Sequence, residues 1–185
     1  TLPINYSFGL SIINSHFING ATVLLTNNSV LEMNFWKFFK KNKPTSLSGV
    51  PFTFEMLKKL RIFKMDLLHL TTFTQAGGKM NNSLIEEFAS FCNKNGKKLF
   101  IMYGQTEASP RISYLPSEKV ISKLGSIGKA IPGGELFLVD EMGNIITESN
   151  KAGELVYKGK NWVLLQEIIP REWKGSKVKV RSAMA

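Results

Sequence analysis

Apolar residues recur with a helical period in one segment and a strand period in the next over the first hundred residues. The clearest helix begins near Ser83 and ends at Gly96, where Ser83 and Glu86 fit an S-x-x-E capping box and the glycine fits the position just past the last turn. One face of this helix is apolar at spacings of one, three and four residues. Its members are Leu84, Ile85, Phe88, Phe91 and Cys92.

The same pattern predicts further helices and strands in alternation. The helices are expected at 7–19, 34–42 and 51–60, with Asn34 as the N-cap of the second. The strands are expected at 21–26, 45–50, 70–78 and 98–104. Strands that alternate with helices of about ten residues predict βαβ units. We therefore predict an α/β fold, part of a doubly wound, mostly parallel sheet with helices on both faces.

The pattern changes beyond Pro110. The segment "GSIGKAIPGG" is rich in turn residues, "ELFLVDEMGNII" predicts a hairpin around Met142–Gly143–Asn144, and "GELVYKG" predicts another strand. We expect a switch to antiparallel β structure near residues 124–134. The predicted division is an α/β portion, a β-rich portion and a divergent tail, over 1–123, 124–160 and 161–185.

Composition adds limits to this picture. The chain has 185 residues, 43% of them hydrophobic and 21% charged, which is enough for one domain with a core. No apolar run approaches the roughly 18 residues that a membrane helix needs. The only cysteine, Cys92, has no disulfide partner in the chain, which fits a reducing compartment such as the cytoplasm. Because the chain begins at Thr1 without a signal-peptide pattern, we expect it to come from the middle of a longer protein.

The net charge of +10 raises the question of a nucleic-acid partner. Six basic and two acidic residues lie within 160–185, and the remaining excess is spread over the chain as pairs such as Lys40–Lys41 and Lys58–Lys59. Scattered lysine pairs are typical of solvated helix faces. We therefore do not expect nucleic acid to be the partner.

Two loops follow predicted strands at their carboxyl ends, where parallel sheets bind ligands. In "AGGKM", Gly77 and Gly78 let a ring or a phosphate approach the backbone. In "YGQTEASP", Tyr103 offers a stacking face, Thr106 a hydroxyl for phosphate, and Glu107 a carboxylate for Mg²⁺. Neighbouring strands would turn both loops toward one nucleotide site. Spacing alone also allows both loops to be ordinary structural turns.

The segment "YGQTEAS" resembles the tyrosine-glycine-x-threonine-glutamate motif of the adenylate-forming enzymes, the AMP-dependent synthetases and ligases. Other segments resemble the family in the same order over about residues 1–160. They are "LPINYSFGLSIINSHFINGATVLL" (substrate-gating segment), "SGVPFTFEML" (valine-proline turn), "AGGKM" (adenine loop), "GSIGKAIPG" (G-x-x-G-x-x-x-P-G turn) and "GELVYKG" (G-E-L-x-x-x-G strand).

The resemblance implies an enzyme that activates a carboxylic acid with ATP and Mg²⁺ to an acyl-adenylate. The acyl group then passes to a thiol, that of coenzyme A or of the phosphopantetheine on a carrier protein. Thr106 and Glu107 are the implied catalytic residues, with Thr106 on phosphate and Glu107 on the metal ion. The implied nucleotide-binding residues are Gly77, Gly78, Lys79, Tyr103, Gly104, Gln105 and Thr106. The implied acid-binding residues are Tyr6, Phe8 and Gly104.

The sequence also departs from the family. The phosphate loop, the aspartate motif that binds ribose, the hinge and the domain with the catalytic lysine are all absent from these 185 residues, so we expect little activity from this chain alone. Asn5 and Tyr6 stand where many relatives carry a histidine, and Lys79 gives the adenine loop an unusual charge. An alternative to a ligase fragment is a non-catalytic remnant or interaction module of the same fold.

Resemblance ends at about Asn161, after which the chain reads "WVLLQEIIPREWKGSKVKVRSAMA". One hypothesis is a shifted reading frame over residues 162–185. The other is a genuine but divergent strand pair, because residues 177–181 alternate with period two. Translating the neighbouring DNA in all frames separates the two, since a frameshift requires the aspartate motif to reappear in another frame.

Overall fold

The computed structural model describes residues 2–108, 110–160 and, for the backbone alone, 178–180. The helices in chain order are α1 (Ser7–Ile18), α2 (Met33–Asn42), α3 (Pro51–Lys59) and α4 (Asn82–Lys94). The strands are β1 (Ser46–Gly49), β2 (Thr72–Gln75), β3 (Lys98–Tyr103), β4 (Ser113–Leu115), β5 (Lys129–Ala130), β6 (Glu135–Val139), β7 (Ile145–Ile146), β8 (Glu154–Lys158) and β9 (Val178–Val180).

A five-stranded sheet, in the order β1-β2-β3-β4-β5, forms the main layer. Strands β1, β2 and β3 are parallel, with Gly49 opposite Gln75 and Gln75 opposite Ile101. Helices α3 and α4 connect these strands, as a βαβ pattern requires. The predicted α/β class and its mostly parallel sheet are confirmed.

Antiparallel pairing begins earlier than predicted. Strand β4 already runs antiparallel to β3, with Tyr103 opposite Ser113, so the expected switch near residues 124–134 is about ten residues too late. Strand β4 is only three residues long, and a strand of that length carries almost no periodic signal. The sequence pattern therefore did not predict it. Four strands in the order β7-β6-β8-β9 form a second, smaller antiparallel sheet.

The predicted hairpin is confirmed in this second sheet. Strands β6 and β7 are antiparallel, and the Asp140 carboxylate accepts hydrogen bonds from the backbone N–H groups of Met142 and Asn144 at 2.9 and 2.8 Å. These bonds hold the pKa of Asp140 below its ordinary value. Gly143 supplies the left-handed φ of 85° that the turn requires.

Three residues of the predicted tail form β9, which pairs antiparallel with β8. This pairing involves three tail residues only, and both hypotheses for the tail stay predictions. Residues 161–177 and 181–185 lie outside the described residues. The frameshift hypothesis concerns residues 162–185, so most of the segment that it covers is not described.

The predicted strand at 21–26 is not formed. These residues have no strand partner in the described part of the chain, and most of them are exposed. They and edge strand β1 line the same cavity of about 550 Å³, so open space lies where ladder hydrogen bonds would have to form. An apolar run predicts burial, but only a partner at hydrogen-bonding distance makes it a strand.

Two predicted helix starts are also wrong. Helix α4 is capped by Asn81, whose side-chain oxygen accepts from the Ser83 N–H at 2.9 Å, so Ser83 lies inside the helix rather than at its cap. Helix α2 begins after Glu32, which places Asn34 within its first turn. At the other end of α4 the prediction holds. Gly96 has a φ of 63°, and the Lys97 N–H donates to the Cys92 carbonyl at 2.8 Å.

An aromatic core holds the helices against the main sheet. Phe88 of α4 packs edge-on against Phe54 of α3, with ring centroids 4.9 Å apart, and lies 5.9 Å from Phe73 of β2. Cys92 is fully buried, and this burial raises the pKa of its thiol to about 12. No helix in the described residues is both long and apolar enough to cross a bilayer. The core thus fixes the parallel strands whose carboxyl ends carry the two candidate loops.

Candidate functional site

The two ends of the loop after β3 are held together by a backbone hydrogen bond. The Ile112 N–H donates to the Tyr103 carbonyl at 3.0 Å. A Cβ added to Gly104 would lie 1.4 Å from the Pro110 carbonyl oxygen, so only glycine allows the two ends of the loop to approach. Between them, Thr106–Ala108 forms one 3₁₀ turn, with Ala108 fully buried and the Thr106 and Glu107 side chains exposed. The Thr106 and Glu107 side chains are therefore exposed on a loop whose two ends are held together.

The loop after β2 is held from inside by a glutamine. The Gln75 side chain is 1% exposed, and its Nε2 donates to the carbonyls of Ala76 at 3.1 Å and Gly78 at 2.8 Å. Gly77 adopts a left-handed φ of 76°. The loop thus turns sharply and exposes Gly77, Gly78 and Lys79.

The segment at the start of α1 contacts both loops. The Ser7 hydroxyl lies 2.9 Å from the Thr106 hydroxyl. The Tyr6 hydroxyl lies so close to Gly77 that a Cβ there would come within 2.9 Å of it. Phe8 is buried next to these contacts, at 3% exposure. These contacts place the start of α1 beside both loops.

A single cavity of about 590 Å³ lies between these segments. Because β2 and β3 are parallel neighbours, their carboxyl ends meet at one sheet edge, as the sequence predicted. All ten predicted site residues line this cavity: Tyr6, Phe8, Gly77, Gly78, Lys79, Tyr103, Gly104, Gln105, Thr106 and Glu107. The structure brings the candidates together, and their individual roles remain predictions.

The Tyr103 ring lies in the wall of the cavity. Its hydroxyl accepts a hydrogen bond from Gln105 Nε2 at 3.2 Å. Burial raises the pKa of Tyr103, and the bond from Gln105 opposes that shift. The phenol is therefore neutral at physiological pH and offers a flat, partly buried face to a ring that enters the cavity.

The donor set fits a magnesium ion that is held mainly by a phosphate ligand. Among residues 2–108 and 110–160, no group of three or more His, Cys, Asp and Glu side chains is placed to bind a metal. Glu107 supplies one exposed carboxylate at the mouth of the cavity. Mg²⁺ commonly binds one or two carboxylates and completes its shell with phosphates and water, so one carboxylate suits it when a nucleotide is present.

Sequence reasoning missed three residues at this site: Ser7, Gln75 and Arg111. Arg111 lines the cavity and donates to Ser11 and Ser15 of α1. The signal for this contact was in the sequence, because Ser7, Ser11 and Ser15 are spaced by four residues and lie on one helix face. Gln75 carried a weaker signal, as a polar residue at the end of a buried strand.

Comparison with known proteins agrees with this geometry. The family model described as AMP-binding enzyme matches residues 1–164. The chain is 29% identical to the rat (Rattus norvegicus) mitochondrial medium-chain acyl-CoA ligase ACSF2, over 77% of this chain and 23% of that protein. It is 29% identical to the 2-succinylbenzoate–CoA ligase of Geobacillus kaustophilus, over 86% of this chain and 31% of that protein.

A solved structure has the same fold. The o-succinylbenzoate coenzyme A synthetase of Bacillus subtilis, in complex with ATP and magnesium ion, superposes with a TM-score of 0.73 at 27% identity. The match covers 86% of this chain and 32% of that one. The chain thus spans between about a quarter and a third of the length of these relatives. With the motifs in order, both loops on one cavity and a family match over most of its length, the chain belongs to the AMP-binding enzyme family.

Proposed function

We propose that this chain carries the nucleotide- and acid-binding cavity of an ATP-dependent acid–thiol ligase. In the first step a carboxylate oxygen of the acid attacks the α-phosphorus of ATP, and pyrophosphate leaves with the acyl-adenylate as product. In the second step a thiol sulfur attacks the acyl carbon, and AMP leaves. The observation that supports this proposal is the meeting of both family loops on one cavity.

The nucleotide is proposed to lie across the ends of β2 and β3. Its adenine stacks on Tyr103 beside Gly77, Gly78 and Lys79, and Gln105 steadies the tyrosine hydroxyl through the 3.2 Å bond. Both glycines are exposed and have no side chain of their own to block this approach.

The phosphates are proposed to meet Thr106 and Glu107. The Thr106 hydroxyl donates to a phosphate oxygen, and to do so it exchanges the Ser7 hydroxyl, 2.9 Å away, for the nucleotide. Glu107 holds Mg²⁺, which neutralises charge on the phosphates when bound. Positioning and charge neutralisation dominate the catalysis of such phosphate chemistry.

The acid is proposed to lie beside Tyr6, Phe8 and Gly104. The rat relative is named a medium-chain acyl-CoA ligase and the Geobacillus relative a 2-succinylbenzoate–CoA ligase, which supports coenzyme A as the acceptor. A carrier protein with a phosphopantetheine thiol is the second candidate acceptor.

We also propose a cytoplasmic location, because the buried Cys92 suits a reducing compartment. The rat relative is named as mitochondrial, so the two locations differ. Cell fractionation tests whether this protein is cytoplasmic.

A thermal unfolding series tests the nucleotide proposal. A ligand that binds only the folded state stabilises it by mass action, by about 2.7 kcal/mol at 100 times its Kd. We expect ATP with Mg²⁺ to raise the unfolding midpoint of the wild-type chain, and ATP with a chelator to raise it less.

A matched pair of variants gives this test its control. Glu107→Gln should lose the magnesium-dependent part of the shift, whereas Glu141→Gln, at an exposed carboxylate of the hairpin, should keep it. A wild-type midpoint that does not respond to ATP contradicts the proposal.

One observation favours the alternative of an interaction module. Helix α1 and the residues after it expose large apolar side chains, including Phe17 at 64%, Ile18 at 86% and Leu25 at 65%. Exposed apolar surface of this kind is typical of contact with another protein surface. The ATP titration separates the two functions, since a module without a nucleotide site gives no shift.

A further inference from the structure

Gln75 is a buried polar residue in the wall of the cavity. It is the last residue of β2, it is 1% exposed, and it lines the cavity together with the two candidate loops. Its Nε2 donates to the carbonyls of Ala76 at 3.1 Å and Gly78 at 2.8 Å. A side-chain amide has two N–H donors, so these two bonds use its whole capacity to donate.

The two bonds fix which way the amide of Gln75 is turned. Both partners are carbonyl oxygens, which only accept, so a rotated amide would set its own oxygen against two acceptors. The side-chain oxygen Oε1 therefore points away from these carbonyls. None of the hydrogen bonds that the described part of the chain makes reaches this oxygen. Because buried acceptors in native proteins are nearly always paired, Oε1 requires a donor from elsewhere.

The neighbours of Gln75 on the sheet are apolar. Gln75 lies opposite Ile101 of β3, and Ile101 lies opposite Leu115 of β4, so the three side chains share one face of the sheet. All three residues line the cavity, as do Met80 and Ile85. An unpaired oxygen among apolar side chains suits a flat and mostly apolar ligand group that carries a hydrogen-bond donor at its edge.

Tyr103 lies on the same face of the sheet, two residues beyond Ile101 on β3. Two residues span about 7 Å along a strand. A purine base that stacks on Tyr103 can therefore extend its far edge toward Gln75. The group at position 6 of a purine lies on that edge, away from the ribose.

Position 6 distinguishes two kinds of purine. Adenine carries an amino group there, which donates, whereas guanine carries an oxygen, which accepts. An acceptor that is held in one orientation pairs with the amino group and repels the oxygen. A base without the amino group also leaves the buried acceptor without a partner, which lowers affinity.

We propose that Gln75 Oε1 accepts a hydrogen bond from the 6-amino group of the base, so that Gln75 selects adenine nucleotides against 6-oxopurine nucleotides. This inference rests on the proposed function, in which the adenine lies between the two loops. Gln75 then has two roles, since its NH2 group holds the loop after β2 while its oxygen contacts the base. It is a specificity-determining residue for the nucleotide.

The test compares ATP with two analogues that lack the amino group. ITP has an oxygen at position 6, and purine riboside triphosphate has a hydrogen there. Titration calorimetry with Mg²⁺ measures the Kd of each nucleotide for the wild-type chain, for Gln75→Met and for Ser113→Ala. We expect the wild type to bind ATP at least about tenfold more tightly than either analogue. Gln75→Met should bind all three with similar Kd values, because it removes the oxygen.

Ser113→Ala is the matched control. Ser113 is also 1% exposed, and its hydroxyl donates to the carbonyl of Ile127, a residue of the cavity wall, at 2.7 Å. The variant removes a buried hydrogen bond to the wall but leaves Gln75 in place, so it should keep the preference for ATP. If Gln75 only holds the loop, Gln75→Met should likewise weaken all three nucleotides by one common factor. The unfolding midpoint of each variant without ligand checks that it is folded.

The outcomes separate this inference from the proposed function. Equal Kd values of the wild type for ATP and both analogues overturn the inference about Gln75 alone, and this comparison does not depend on either variant. A preference for ATP that persists in Gln75→Met also overturns it, since another group then contacts the amine. If the wild type binds none of the three nucleotides, the proposed function fails, and the inference about Gln75 fails with it.

Discussion

Gly104 illustrates how steric fit at one residue shapes the candidate site. The resemblance implied that it leaves space for the acyl group, and the structure adds a reason that lies within the fold. Its missing side chain lets the Pro110 carbonyl close the loop, 1.4 Å from where a Cβ would stand. Because the contact is with backbone, no side-chain rotation can relieve it, and the loop itself must move.

The first prediction concerns Gly104→Ala. We expect it to lower the free energy of unfolding by more than about 2 kcal/mol, at the upper end of overpacking effects, and to weaken ATP binding because the loop opens. Urea unfolding measures the first effect and calorimetry the second.

Gly20→Ala is the matched control for this variant. Gly20 has a left-handed φ of 63° and no atom within 4 Å of an added Cβ, so its cost is that of the backbone conformation alone, about 1 to 2 kcal/mol. A Gly104→Ala variant no less stable than Gly20→Ala would show that the loop does not need the close approach.

The helices differ in what holds them in place. Helix α4 buries an apolar face of Leu84, Ile85, Phe88, Ala89 and Cys92 against the sheet. Helix α1 is apolar around most of its circumference but buries only Phe8 and Gly9, and its serine face makes polar contacts to the loop after β3. The serine face of α1 thus joins the helix to Thr106 and Arg111.

A second prediction concerns the start of α4. Since the Asn81 side chain caps the helix, Asn81→Ala should cost about 1 kcal/mol of stability, whereas Ser83→Ala, within the first turn, should cost less than about 0.5 kcal/mol. Urea unfolding of the two variants measures both values. The opposite ranking would restore the capping box predicted from Ser83 and Glu86.

At the scale of the whole molecule, the sequence predicted the parallel strands and the shared cavity because local patterns encode both. Strand β3 is an apolar run, β1 and β2 each set one buried apolar residue among small polar ones, and the loops after β2 and β3 carry unusual side chains. Residues 21–26 have an equally apolar run and form no strand, since pairing depends on distant backbone that periodicity does not encode. The serine spacing on α1 marks one side of the Arg111 contacts, but not their partner, which lies about a hundred positions away along the chain.

The measurement that tests the central claim most directly is hydrogen exchange with and without ATP and Mg²⁺. If the nucleotide binds between the two loops, exchange should slow at the amides of residues 76–80 and 103–108 and stay unchanged in the hairpin at 135–146. Chelation of Mg²⁺ should weaken the protection near Glu107. Protection confined to other residues, or none at saturating ATP, would contradict a nucleotide site at this edge of the sheet.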